Sequence, residues 1–266
     1  MRHSPLTEFA LLARAPDEAL DLERLSSCIA RIGTPALDAA ALGGTLDRLA
    51  EQVADDVHPG SPPDELVAAL ARTIGGRLGF RGTPDVFNGP EGSFLDKVVE
   101  RRTGLPILLA VVWILLGKRL GVPIVGIGYP GHFLVGLELP GARLYVDPFA
   151  GGEPREAVDL LARLPPGAGR NLLDPSPTRA ILTRVLTNLK HLWVGAGAHE
   201  AALGAVDRLL LLGGEVPGEL RDRGLLALRL ARTTEGRRDL ERYLAIAADA
   251  PDRADVERIL GRGTGR

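Results

Sequence analysis

Residues 105–121 read LPILLAVVWILLGKRLG, and residues 123–149 continue PIVGIGYPGHFLVGLELPGARLYVDPF. The first stretch is apolar on every side of a helical wheel, which predicts a fully buried helix over 105–120. Pro106 suits its first turn, and Gly121 its C-terminal stop. The uncharged run ends at Gly117, before Lys118 and Arg119. It is too short to span a bilayer and fits a core helix better. The second stretch is β-type. It predicts strands over 123–129, 132–139 and 143–149, with Pro140-Gly141 as a tight turn between the last two.

This pattern tests the placement of two polar residues, His132 and Asp147. If Pro140 and Gly141 are the turn residues, Leu139 pairs with Ala142, and Asp147 falls opposite Leu134. His132 is two positions from Leu134, so it shares a face of the hairpin with Asp147. As diagonal neighbours they stand roughly 7–8 Å apart, within reach of each other's side chains. An Asp that accepts from a His ring fixes its tautomer and orients it as a base. The same pair also serves simply to tie a hairpin together, as structural ion pairs do.

Working outward, residues 93–102 read as a short helix, with Ser93 as N-cap and Asp96 at the capping-box position. Residues 81–92, rich in Gly, Pro and Asn, read as loop. Upstream, 17–32, 38–57 and 63–78 show helical spacing. Pro35, Gly43-Gly44 and residues 58–63 punctuate them. Gly151-Gly152 closes the β-type region as a tight loop; the rest of a phosphate-binding loop is missing. Beyond it, 154–164, 177–194, 200–212, 217–231, 235–248 and 252–260 predict consecutive helices with short connections. Their spacing is roughly that of tetratricopeptide units, but the usual aromatic and glycine signatures are mostly missing, and a plain helical bundle is the alternative. These breaks divide the chain into an N-terminal helical extension (1–59), a core (60–152) and a helical-hairpin region (153–266).

Composition narrows the function classes. The chain has 266 residues, net charge −2, 45% hydrophobic and 25% charged residues. Wholesale disorder and a global basic footprint for nucleic acid are both excluded. Arginine greatly outnumbers lysine, the coding bias of a GC-rich, bacterial genome. No signal peptide is expected in the first 15 residues. A cytoplasmic protein that binds neither membrane nor nucleic acid is expected. One cysteine, Cys28, rules out an internal disulfide or a multi-cysteine metal site. His191 and His199 lack ligand spacing, His3 and His58 read as solvated loop residues, and no cofactor is expected. Arg221-Asp222-Arg223 reads as a surface salt-bridge cluster, with an interface network as its alternative.

Taken together, a buried helix, a strand, Gly-His and then Asp-Pro resemble the transglutaminase-like core of the papain-type superfamily. The resemblance tightens to SirB-type transglutaminase-like proteins on residues 94–107 (FLDKVVERRTGLPI), 130–135 (PGHFLV) and 146–152 (VDPFAGG). Residues 186–190, 221–225 and 239–244 carry it into the C-terminal half. It covers the chain from about residue 17. The implied fold is α+β: a core of buried helix and small antiparallel sheet, flanked by N-terminal helices and C-terminal helical hairpins.

The resemblance also implies a Cys nucleophile at the head of the buried helix, where the helix dipole and the His activate the thiol. Here that position falls near Ile107 or Leu108, both aliphatic. An aliphatic side chain cannot attack a carbonyl. Cys28 lies on a different predicted helix and reads as a small buried hydrophobe. The expected function is therefore a non-catalytic, transglutaminase-like protein that binds a protein or peptide partner through its degenerate cleft and C-terminal helices. His132 and Asp147 would be remnants of a Cys-His-Asp set. Glu100, Arg101 and Arg102 are candidate binding residues at the cleft mouth, with a solvated helix end as the alternative. A hydrolase that activates water with His132 is the second reading. A purely structural pair, with all function in the C-terminal helices, is the third.

Overall fold

The computed structural model describes residues 4–58, 60–165 and 169–261; His3 lies outside them. The architecture is α+β, as expected, with a single antiparallel sheet. The chain divides into two compact units: Ala15–Val185, and Leu186 onward together with the residues before Ala15. These limits differ from the boundaries expected at 59/60 and 152/153. Two helices assigned to an N-terminal extension, α2 (Leu22–Ala30) and α3 (Ala39–Ala54), lie inside the first unit. The N-terminal helix α1 (Pro5–Leu12), which helical spacing did not reveal, belongs to the second.

The first unit is built around α6 (Pro106–Leu120), the helix expected to be buried. Pro106 occupies its first turn, and Gly121 ends it with φ 68°. Lys118 and Arg119 mark where the helix meets solvent. Arg119 reaches Glu23 on α2 at 2.9 Å and Asp47 on α3 at 2.7 Å. Both partner helices start on aspartate caps, Asp21 and Asp38, whose side chains accept backbone N–H groups. The pattern 17–32 is not one helix: a 3₁₀ turn at Asp17–Ala19 precedes α2. Gly43 and Gly44, expected as punctuation, lie inside α3. Among the described residues, no single helix is long and apolar enough to cross a membrane.

After α4 (Pro63–Leu70) the chain continues into a π-helical turn, Ala71–Arg77. The stretch 81–92 holds two 3₁₀ turns, Pro84–Phe87 and Pro90–Ser93. Ser93 therefore does not cap the next helix. α5 (Leu95–Arg101) starts after Phe94 and has no side-chain cap.

The sheet runs in the order β1 (Ile124–Ile127), β2 (Leu134–Leu139), β3 (Ala142–Asp147) and β4 (Glu153–Arg155), each pair antiparallel. Leu139 pairs with Ala142 and Val135 with Val146, the register expected from the two-residue turn. β4 was expected as the start of a helix. Pro154 is tolerated there because β4 is an edge strand. The helix that follows is short, α7 (Ala157–Ala162).

The π-turn packs backbone to backbone against the loop between β3 and β4. A Cβ at Gly75 would land on the Gly151 carbonyl, and one at Gly152 would sit 2.8 Å from the Ala71 Cα. Gly151 and Gly152 themselves adopt φ of 74° and 92°.

The second unit holds the end of α8 (Thr178–Gly195), then α9 (His199–Gly213), α10 (Pro217–Arg229), α11 (Thr233–Ile246) and α12 (Arg253–Ile259). α10 and α11 cross closely at glycine: a Cβ at Gly236 would meet the Gly224 carbonyl at 2.8 Å. These two glycines supply a close-packing signature that the pattern of residue types had not disclosed. Arg221, Asp222 and Arg223 are not a plain surface cluster; they belong to a network within the second unit. Lys190 joins Glu219 and Asp222, Arg221 joins Asp222 and Asp252, and Arg223 is bidentate to the buried Asp239.

Gly75→Ala tests the backbone contact. In a helix interior this change ordinarily gains about 1 kcal/mol. Here it is expected to cost about 1–3 kcal/mol through overpacking, read as a lower melting midpoint in denaturant.

Candidate functional site

His132 does not lie in a strand, as expected, but in the turn before β2. Its N–H donates to the Tyr129 carbonyl at 3.0 Å, closing a turn over Pro130 and Gly131, and Gly131 has φ 70°. Proline followed by a positive-φ glycine is the sequence that a type II turn requires. Arg184 on α8 donates to the His132 carbonyl at 2.9 Å and lies over the Phe133 ring at 5.3 Å. Burial lowers the pKa of the Arg184 guanidinium from its ordinary value.

Asp147 is the last residue of β3, and its side chain is 7% exposed. Its Oδ1 accepts from His132 Nε2 at 2.8 Å, from the Phe149 N–H at 3.0 Å and from the Ala150 N–H at 3.2 Å. Its Oδ2 accepts from Arg155 at 2.9 Å. An ionised carboxylate only accepts, so the ring proton of His132 sits on Nε2, and Nδ1 is turned away from Asp147. Burial pushes the Asp147 carboxyl up. Hydrogen bonds from His132 and Arg155 outweigh it and hold the group below its ordinary value. Phe149 stands edge-on to the His132 ring, with centroids 5.9 Å apart.

Ile107 and Leu108 occupy the first turn of α6 and are 2% and 1% exposed. Neither presents a surface to a substrate. Cys28 is buried within α2, far from α6 in sequence. Among the described residues, no group of three or more His, Cys, Asp or Glu is placed to hold a metal ion.

Glu100, Arg101 and Arg102 do not join the His132–Asp147 pair; no hydrogen bond or ion pair connects them. Glu100 pairs with Lys97 at 3.0 Å on the exposed face of α5. Arg101 lines a cavity of about 180 Å³ with Thr83, Asp85, Glu91 and Thr103, and His132 is not among its lining residues. Arg102 ends α5 with φ 62° and lies 4.6 Å from the Phe80 ring centroid. Two contributors escaped the sequence reading, Arg155 and Arg184. Arg155 lay in the stretch 154–164 assigned to helix, and Arg184 on the helix predicted over 177–194, where it belonged to no motif. A hairpin ending in a buried Asp, followed eight residues later by an Arg, was the available signal for the first.

A buried helix packed on an antiparallel sheet, with a His–Asp pair at one end of the hairpin, defines a transglutaminase-like core. Residues 40–187 match the transglutaminase-like superfamily, and residues 189–261 match the tetratricopeptide repeat. The chain belongs to the SirB-type transglutaminase-like family, with a tetratricopeptide-like C-terminal region. A UPF0162 protein of Xylella fastidiosa is 36% identical over 259 residues, covering 94% of this chain and 91% of the relative. A UPF0162 protein of Pseudomonas aeruginosa is 31% identical, covering 85% of each chain. Protein SirB1 of Salmonella typhimurium is 27% identical over 191 residues, covering 70% of this chain and 71% of the relative. No solved structure matches the chain significantly.

The Asp147 cluster carries a pH signature. A carboxyl with a depressed folded pKa adds stability above its unfolded pKa and loses it as pH falls through the folded value. Asp147→Ala is expected to cost about 1–3 kcal/mol near neutrality, because it leaves the Phe149 and Ala150 N–H groups unmatched, while Arg155 keeps Glu153 at 3.1 Å. The gap between wild type and variant should begin to narrow below about pH 4 and close only below the depressed folded value, where Asp147 is uncharged in both states. Urea melts of the two proteins at pH 7 and pH 3 measure it.

Proposed function

We propose that this chain is a non-catalytic member of its family that acts by binding a protein or peptide partner. One observation carries the reading: the head of α6, where the family's nucleophile is expected, holds Ile107 and Leu108, both buried. Without a nucleophile there, His132 has nothing to activate for acyl transfer. The four donors on Asp147 support a structural role for the pair, since they fasten the end of β3 to the loop that the π-turn packs against. The tetratricopeptide-like match supports partner binding, because stacked helical hairpins present extended binding surfaces. We place its action in the cytoplasm.

A hydrolase reading keeps one observation in its favour: the His132 side chain is 27% exposed and its Nδ1 faces away from Asp147. Water can reach such a ring. General-base activation alone supplies only ~10²–10⁴ in rate, and oxyanion donors would also be needed.

Two measurements decide. Glutamine-donor peptides with hydroxylamine, and activated esters, are expected to show no turnover above the buffer rate. Turnover that disappears on His132→Ala, in a protein with an unchanged melt, would overturn the non-catalytic reading. In a pull-down, partners held by the full chain are expected to be lost from a chain ending at residue 185. Retention by the shortened chain would move partner binding away from the C-terminal helices.

A further inference from the structure

The second compact unit contains a cavity of about 410 Å³. Leu6 of α1, Leu210 and Leu211 of α9, and Leu220 of α10 form its apolar wall. Leu6 and Leu211 are 38% and 39% exposed, a high value for large apolar side chains beside a concavity.

Asp207, Glu215 and Arg223 are its charged lining. Their partners are unequal. Glu215 is matched by Arg242 at 2.6 Å. Arg223 is committed to Asp239 through two bonds, of 2.6 Å and 3.0 Å. Among the described residues, Asp207 makes one ion pair, with that same Arg223 at 3.7 Å, and Arg208 and Arg232 act on it from farther away. The cavity thus offers a half-buried carboxylate whose nearest cation is already spent on another acid. Burial also pushes the Asp207 carboxyl above its ordinary value, as a carboxylate lacking a close counter-charge requires.

We propose that this cavity is a binding site for a cationic side chain, lysine or arginine, presented by an apolar peptide segment of a protein partner. A long aliphatic stem carrying a terminal cation matches both parts of the site. The stem lies along the leucine wall, and the head completes the charge of Asp207. An anionic ligand is disfavoured by two carboxylates in the lining, and a purely apolar one leaves Asp207 unmatched. The volume lies within the range of small-ligand pockets and exceeds one such side chain, leaving room for a neighbouring apolar residue. The assignment deepens the partner-binding reading and rests on it in one respect, that the cation belongs to a polypeptide.

The test uses the full chain with ¹³C-labelled leucine methyls and three capped peptides, Ala-Ala-Leu-X-Leu-Ala-Ala, with X lysine, arginine or norleucine. The lysine and arginine peptides are expected to shift the methyls of Leu6, Leu210, Leu211 and Leu220 saturably. They should bind about tenfold more tightly than the norleucine peptide. Asp207→Asn, which keeps the shape, is expected to erase that difference. Leu211→Arg, at an exposed position, should block the site with its own guanidinium while leaving Asp207 in place. The methyl spectra report whether each variant is folded. Equal affinity for all three peptides, shifts confined to other methyls, no saturable shift, or indifference to both variants would each overturn the proposal. If the peptides fail while the pull-down still shows a partner lost on shortening, the pocket assignment falls and partner binding stands. If the peptides bind and no partner is captured, the pocket stands and the protein-partner reading falls.

Discussion

Asp147 is a charge held almost out of water, and the geometry around it is set by the need to match every part of that charge. A buried carboxylate without partners costs several kcal/mol, so a sequence that places one must supply donors from all sides. Here four donors come from three places: the turn before β2, two backbone amides just after β3, and the edge strand β4. Satisfying one carboxylate thereby fixes where the chain leaves β3. It also fixes how the following loop approaches the π-turn and how the His132 ring is aimed.

The same cluster shows what separates a catalytic pair from its scaffold. An orienting acid and an imidazole are only the supporting half of an acyl-transfer site; bond formation needs an electron-rich atom at the head of the buried helix. Ile107 and Leu108 instead give that helix two more buried aliphatic side chains. The support has a second use, in holding the hairpin, which asks for no nucleophile.

Much of this was legible in the sequence. The helix at 106–120 announced itself by being apolar on every side. The two-residue turn at Pro140-Gly141 fixed the pairing that brings residues 132 and 147 to one face. What stayed hidden has physical reasons. β4 begins Glu-Pro-Arg, and proline at an edge strand leaves no periodic trace. Gly43 and Gly44 looked like a break, yet the flanking leucines of α3 hold them in helix. Ser93 looked like a cap because residue type does not disclose that a 3₁₀ turn already uses it. That the cavity lined by Arg101 does not include His132 is a matter of tertiary path, which residue type does not disclose. The tetratricopeptide-like character was faint because its clearest mark is a backbone approach between Gly224 and Gly236, visible only in three dimensions.

The sheet's two edges bear on how any partner can be met. On one side, Pro154 sits in a three-residue strand and withholds a donor from the open edge. On the other, Pro175 bridges to Ile127, the Ser176 N–H donates to the Gly126 carbonyl, and the Ser176 hydroxyl accepts from the Gly128 N–H. Both margins are therefore poor templates for an added strand, a protection against sheet-to-sheet aggregation. The same protection disfavours recognition by a backbone ladder. On the partner-binding proposal, recognition would then rest on side chains, and selectivity on a few charged and apolar positions, open to change one residue at a time.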